Sequence, residues 1–425
     1  MKILTWHGPW QSAYALMSCA LLSMALSAPR FGQAQESTRA ASHAAAGTHT
    51  LKQALEAAWQ RSLELSESRG RSARAQAGQA VTQSWLSAAP ALSLGQREGS
   101  AGAPAGSRET ELGLALPLWW PGQRKTEGQA AQSQSAWDQA TEQAERLRLT
   151  GRLREAMGAL QLADADLHQL EQQVQDLAQL AQDVERRVRA GDLAPADALA
   201  ARAEWLAAQA QSSAARQALG TQQSHWHLLT GLAPLKLQTS LAPTLAQLPD
   251  THPELVLASA MVDLGQRRVE LARVQRSDSP ELTLGLRQEN PGQGAASQSS
   301  VVVALRVPVG GQVYQQPRLT AALGELDMAQ TQAQRTRERL RAEVALAQSQ
   351  LGWSQAQLQA EQERAQLLAE RARLIDKSFR AGETALPDML RAMAAALSAK
   401  SALARHQINH QTAMARLEQA LGLLP

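Results

Sequence analysis

An internal repeat constrains this chain more than any other feature of its sequence. The segment 90–97 recurs at 280–287, and Leu116-Pro117-Leu118 recurs as Val307-Pro308-Val309. An Arg-Ala-Gly turn at 189–191 recurs at 380–382, and a Gly-Leu pair at 231–232 recurs at 422–423. Every landmark keeps an offset of 190 or 191 residues. The pattern therefore predicts a tandem duplication with repeats at 51–240 and 241–425.

Alternation with a period of two predicts two strands in each half. One face of the longest segments is continuously apolar and is made by Leu112, Leu114, Leu116 and Leu118 and by Val301, Val303, Leu305, Val307 and Val309. Together with the alternating segments at 92–97 and 282–287, these predict β-hairpins at 90–118 and 280–309. Polar loops are expected at 98–107 and 288–300.

Long helices are predicted on either side of each hairpin. A helix over 51–86 precedes the first hairpin, and one over 254–276 precedes the second. The segment 123–188 holds no proline and repeats its apolar residues every three or four positions, which is typical of a coiled-coil seam. Each long helix is expected to end in a glycine turn, followed by a return helix over 197–230 or 388–421.

The composition excludes several classes of protein. Only 2 Phe and 2 Tyr occur in 425 residues, so a thick globular core is not expected. The net charge of +3 comes without a basic block, which gives no reason to expect a nucleic-acid partner. The single cysteine excludes a disulfide framework and a cysteine-based zinc site.

The N-terminus has the pattern of an export signal. Lys2 precedes an apolar run over 13–28, which predicts a signal peptide at 1–34. The polar segment 35–50 is interpreted as a flexible lead. Cys19 lies inside the apolar run, and its lipidation is the less favoured alternative to ordinary cleavage.

Four strands per chain cannot close a barrel, although their apolar faces are suited to lipid. Because open sheet edges are not tolerated in a bilayer, the barrel must close through other chains, and three copies give 12 strands. The predicted fold is therefore an α+β membrane protein with a trimeric 12-stranded transmembrane β-barrel and a long α-helical coiled-coil barrel.

Trp85, Trp119 and Trp120 lie where strand gives way to helix, which suits an interfacial belt. The alternative is that they fill the core at that junction.

At this point the chain resembles the outer-membrane efflux factors of the TolC family. The resemblance covers most of 51–425 and is carried by the duplicated hairpins, the Leu-Pro-Leu and Val-Pro-Val exits and the two glycine turns. The stretch 116–124 resembles the strand-exit motif of the CzcC-like heavy-metal branch, from which Gln123 departs. The resemblance implies a homotrimer in outer-membrane lipid, a periplasmic adaptor, a proton-driven inner-membrane pump, and no cofactor or resident metal.

The two glycine turns are the candidate functional site. By resemblance they are helical tips that contact the adaptor and form the gate, at Arg189, Gly191, Asp192, Asp197, Arg380, Gly382, Glu383 and Asp388. In a trimer each acid becomes a ring of three carboxylates, which favours cations in a narrow pore. Asp197 and Asp388 also suit the N-cap position of the helices that they open.

No common motif for catalysis or nucleotide binding occurs, so an enzyme is not expected. His406 and His410 are four residues apart, which is metal-ligand geometry on a helix, but no acidic or cysteine partner is evident.

The favoured function is a passive exit duct for heavy-metal cations or small toxic compounds. Type I protein secretion and, less favoured, a soluble periplasmic scaffold or adaptor are the alternatives.

Overall fold

The computed structural model describes residues 50–99, 106–234, 247–275, 278–292, 294, 296–309 and 312–425. All of them fall within one compact unit, Thr48–Pro425. The predicted signal peptide, its cleavage site and Cys19 lie outside the described residues, as does all but the last residue of the lead.

The described part contains seven helices and one small antiparallel sheet of four strands. In chain order the elements are α1 (Leu51–Arg61), α2 (Leu63–Gln83), β1 (Ala91–Glu98), β2 (Arg108–Pro117), α3 (Gln123–Ala190), α4 (Pro195–Thr230), α5 (Pro253–Val274), β3 (Glu281–Asn290), β4 (Gln298–Arg306), α6 (Gln312–Arg380) and α7 (Leu386–Ala420). At about 1.5 Å per residue, α3 and α6 are each about 100 Å long. No helix among these residues has both the length and the apolar character needed to cross a bilayer.

Two sequence predictions about element bounds are wrong. The single helix expected over 51–86 is broken at Ser62, whose backbone is extended and whose hydroxyl accepts a hydrogen bond from Leu65 N–H at 3.2 Å. Ser62 therefore ends α1 and caps α2. The second hairpin lies within the predicted 280–309, but the loop expected at 288–300 is shorter, because the first strand continues to Asn290 and the second begins at Gln298. The second strand also ends early, at Arg306, two residues before Pro308.

The strands pair in the order β1-β2-β3-β4, so β1 and β4 are the two edges of the sheet in one chain. The register aligns the predicted apolar residues across all four strands, in the rows Leu92–Leu114–Leu284–Val303 and Leu94–Leu112–Leu286–Val301. All eight side chains are exposed, between 39% and 75%. One face of the sheet is therefore a continuous apolar surface without a partner in the single chain.

Helix α3 is the central element of the helical part. Its first half packs against α2 and α5, and its second half packs against α4 and α7. Polar contacts mark these four neighbours: Arg71–Glu145, Ser133–Asp263, Arg216–Glu171 and Arg405–Asp166. Helix α6 packs against α5 and α7. The helices thus form a curtain one layer thick, with α6 along one edge and α2 and α4 along the other.

Candidate functional site

The two predicted glycine turns have the same hydrogen-bonding pattern. Asp192 N–H donates to the carbonyl of Arg187 at 2.9 Å, and Glu383 N–H donates to the carbonyl of Ser378 at 3.0 Å. Gly191 and Gly382 lie between these donors and acceptors, with φ of +88° and +81°. Each turn is a Schellman motif, which requires a left-handed residue at this position and strongly favours glycine.

The acids expected to cap the return helices occupy a different position. Asp197 and Asp388 are the third residues of α4 and α7, and the N-cap residues are Ala194 and Ala385. Asp197 still satisfies a helix-terminal donor, because its carboxylate accepts from Ala194 N–H at 3.2 Å. The N-cap prediction is therefore wrong in position, although the carboxylate of Asp197 bonds the N-cap backbone.

Asp388 has a different partner. Its carboxylate lies 2.6 Å from Arg391 Nη2, one turn further along α7, and both side chains are more than half exposed. The charge that the sequence places at this position is thus paired, at the surface, with a cation of the same helix. Surface pairs of this kind contribute little to stability.

The remaining predicted tip residues are exposed. Arg189, Asp192 and Glu383 lie on the surface, and so does Arg380, which pairs with Asp376 at 2.9 Å. The structure therefore brings together, at the end of the helical curtain opposite the sheet, two turns rich in exposed charge. We call residues 187–197 the first tip and residues 378–391 the second tip.

A buried cluster joins the two tips, and its central contact was not predicted from the sequence. Phe379 of α6 is 3% exposed and belongs to one buried cluster with residues of the other three long helices, α3, α4 and α7: Leu177, Leu180, Val184, Ala201, Ala208, Leu386 and Met389. The guanidinium carbon of Arg187 lies 5.1 Å from the centroid of the Phe379 ring, within the range of a cation–π interaction. One local signal was available, because Phe379 is one of only two Phe residues in the sequence.

A groove of about 550 Å³ lies beside this cluster, between α3, α6 and α7. Its charged lining consists of Asp176, Asp183, Asp376, Arg186, Arg187 and Arg373, among others, and Met389 and Met393 form part of its apolar floor. Asp183 bonds two of these arginines, at 2.8 Å to Arg186 and 3.1 Å to Arg187. Charged side chains around an apolar floor are suited to contact another polypeptide.

The three predicted belt tryptophans differ from one another. Trp85 is 89% exposed. Trp119 Nε1 donates to the carbonyl of Ser84 at 3.2 Å, and Trp120 Nε1 donates to the carbonyl of Asp278 at 2.8 Å. The pair after β2 therefore ties together the segments that lead into both hairpins. This arrangement is compatible with an interfacial position and with a structural role at the junction.

The histidines do not assemble a metal centre among the residues described. His410 Nδ1 lies 3.0 Å from Ser354 Oγ on the neighbouring helix, and His225 and His227 are exposed on either side of the buried Trp226. No group of three or more His, Cys, Asp or Glu residues in the described ranges is placed to hold a metal ion.

Comparison with known proteins identifies the fold and the family resemblance. Residues 245–423 match the family model described as outer membrane efflux protein. No curated protein sequence matches the chain. Among solved structures, the outer membrane protein VceC of Vibrio cholerae is 19% identical with a TM-score of 0.70, over 88% of this chain and 96% of that one.

Two further channels have the same fold. CusC, described in connection with folding and transmembrane channel formation, is 17% identical with a TM-score of 0.72, over 88% of this chain and 92% of that one. The CmeC outer membrane channel of Campylobacter jejuni is 16% identical with a TM-score of 0.69, over 88% and 85%. The family match over the second half and the fold shared along the chain confirm the predicted resemblance to the outer-membrane efflux factors of the TolC family.

Proposed function

We propose that this chain is the trimeric outer-membrane exit duct of a tripartite efflux pump. The observation that carries the proposal is the exposed apolar face of a sheet whose edges, β1 and β4, are unpaired within the chain. A bilayer removes the cost of exposing the leucines and valines, but it makes unpaired edges costly. Joining β4 of one copy to β1 of the next satisfies both requirements, and three copies give a closed barrel of 12 strands.

The helical curtain supports the same contact between neighbouring copies. Its edge helix α6 exposes a stripe of apolar residues at multiples of seven positions, each more than half exposed: Leu346, Trp353, Leu367 and Leu374. The opposite edge helix α4 exposes Leu199 and Leu206, also seven apart. Seven-residue spacing is the seam of a coiled coil, so these edges fit one another in neighbouring copies. The strand edges can pair and the helix edges can pack in the same arrangement, a closed ring of copies joined head to tail.

The duct is passive and is not an enzyme. Transport is driven by an inner-membrane pump, which by family resemblance is proton-driven and is reached through a periplasmic adaptor. The adaptor contacts the two tips, where Arg189, Asp192, Arg380 and Glu383 are exposed. Arg380 also lines the groove beside Phe379. Binding at this place opens the helical barrel only if the adaptor contacts the open state more strongly than the closed one. The proposed cargo is heavy-metal cations or small toxic compounds, as the CzcC-like exit motif suggests.

The test uses cells that lack the gene and are complemented with the parent chain or with one of two variants. Leu114→Arg places a charge on the apolar face, at a cost of roughly 2–4 kcal/mol near a bilayer midplane. Ala115→Ser changes the other face and serves as the control. We expect the parent and Ala115→Ser to lower cellular accumulation of metal cations or small toxic compounds, and Leu114→Arg to fail. If cells that lack the gene accumulate these compounds no more than complemented cells do, but fail to secrete a protein, the result supports type I protein secretion instead. A fully soluble periplasmic parent chain contradicts the duct.

A further inference from the structure

The face of the sheet opposite the apolar surface changes character along the strands. Its middle is a band of small residues, in the rows Ala91–Ala115–Thr283–Ala304 and Ser93–Gly113–Gly285–Val302. The band is tightly packed at Gly113, where an added Cβ would lie 2.6 Å from Ser93 Oγ. Small side chains on an inward-facing surface leave the middle of a barrel wide and uncharged.

Charged side chains replace the small ones toward the hairpin loops. The next two rows on the same face hold Arg97, Glu109, Glu111, Arg287 and Glu289. Two arginines against three glutamates leave this band with one negative charge in each chain. On the apolar face the corresponding end carries Glu98 and Arg108, which pair at 3.1 Å.

The two arginines of the band are not shared equally among its three acids. Arg287 Nε lies 2.7 Å from Glu109 Oε1 and 2.8 Å from Glu289 Oε1. Arg97 approaches the same Glu109 at 3.9 Å. Both arginines are therefore engaged with Glu109, and Arg287 also with Glu289.

Glu111 faces Arg287 directly in the strand register, yet the ion pairs of Arg287 are with Glu109 and Glu289. Among the described residues Glu111 has neither an ion pair nor a side-chain hydrogen bond. It stands at the border of the small-residue band, one row from Gly113 and Gly285. From this placement we infer that Glu111 sets a cation preference in the barrel, separately from the tips. The inference rests on the proposed trimeric duct.

Three copies place three Glu111 carboxylates at one level of the barrel. A ring of carboxylates attracts cations and repels anions in a confined aqueous path. The neighbouring small residues offer no cation to neutralise it, and Arg287 is already held by two acids. Arg287 thus acts as a positioning residue for Glu109 and Glu289, and Glu111 carries the uncompensated charge of the band.

The experiment compares Glu111→Gln with Glu98→Gln in the full-length chain, reconstituted in planar bilayers under a potassium chloride gradient. Both variants remove one carboxylate near the loop end of the first hairpin, on opposite faces of the sheet. We expect the cation-to-anion permeability ratio to fall toward that of an unselective pore in Glu111→Gln and to stay at the parent value in Glu98→Gln.

A thiol test is independent of selectivity. The only natural cysteine, Cys19, lies within the predicted signal peptide, so Glu111→Cys and Leu112→Cys introduce single thiols at adjacent positions. A water-soluble, membrane-impermeant thiol reagent should reduce the current through Glu111→Cys and leave Leu112→Cys unchanged.

The inference is overturned if Glu111→Gln forms pores of parental conductance with an unchanged permeability ratio, or if Leu112→Cys is the thiol that reacts. If the parent chain forms no pores at all, the proposed duct itself fails.

Discussion

Arg187, near the end of α3, lies over the ring of Phe379 at the end of α6, with 5.1 Å between its guanidinium carbon and the ring centroid. The contact joins the two duplicated tips through residues 192 positions apart in the sequence. Phe379 is 3% exposed and, of the residues that the structure describes, is the one aromatic side chain among the fully buried members of the cluster at this end of the molecule.

Replacing Phe379 should loosen the tips without disturbing the sheet. Phe379→Ala removes a buried ring, a change that typically costs 3–5 kcal/mol. Phe379→Leu keeps most of the apolar volume and loses the cation–π contact, which is worth about 0.5–2 kcal/mol. Limited trypsin digestion should cut at Arg189 and Arg380 fastest in Phe379→Ala, more slowly in Phe379→Leu and slowest in the parent. Equal cutting rates in all three would show that this ring does not hold the tips together.

The tip glycines are required by their backbone conformation. Gly191→Ala and Gly382→Ala each force an alanine into a left-handed conformation, and we expect each to lower the free energy of unfolding by about 1 kcal/mol. Gly220→Ala is the matched control, because Gly220 lies inside α4 with open space around it. It should raise helix stability by about 0.5–1 kcal/mol. Thermal unfolding in detergent measures all three, and a gain in Gly191→Ala would contradict the assigned turn.

The predicted selectivity of Asp388 depends on its partner. Arg391 Nη2 lies 2.6 Å from the carboxylate, so the pair presents little net charge. Arg391→Gln should therefore raise the cation preference of the pore, and Asp388→Asn should lower it. Bilayer recordings in a salt gradient distinguish the two variants. Opposite shifts from these variants support a pore-facing pair, whereas no shift in either means that Asp388 does not line the constriction.

His252 should make the fold sensitive to acid. Its side chain is 2% exposed, and its Nδ1 accepts a hydrogen bond from Glu254 N–H at 3.1 Å. Burial lowers the pKa of His252, although the negative charges of Glu254 and Glu343 oppose this shift. The unfolded chain therefore binds the proton more readily than the folded one. Stability is complete above the ordinary pKa of 6.5 and falls as the pH drops from there toward the lowered pKa of the folded state.

The matched variant for this prediction is His252→Asn. Asparagine accepts the same N-terminal hydrogen bond and does not titrate. Its unfolding free energy should change less between pH 7.5 and about pH 5.5 than that of the parent. Denaturant unfolding at the two pH values provides the measurement. The same loss of stability in both proteins would assign the acid sensitivity to other groups.

The sequence predicts local features well where a single residue type decides the backbone. Gly191 and Gly382 end their helices as expected, and the alternation around Leu114 places it in the predicted apolar row. The break at Ser62 was missed because serine occurs both inside helices and at N-caps, so the residue type alone does not mark a boundary. Neither glycine nor proline marks this break.

Contacts between distant parts of the chain could not be predicted. Arg154 is buried on α3 and bonds Glu418 Oε2 at 2.9 Å and the carbonyl of Leu423 at 3.1 Å, more than 260 residues away. The local sequence does not distinguish Arg154 from the exposed arginines of the same helix. Burial of this kind depends on how α3 and α7 pack, which no local pattern specifies.

The mass of the detergent-extracted native protein shows whether the chain assembles as a trimer. If the unpaired β1 and β4 edges close against further copies, as we propose, we expect a single species of three chains. Circular dichroism on the same sample should show that its strand content is intact. A species of one chain with full strand content would contradict the trimeric duct.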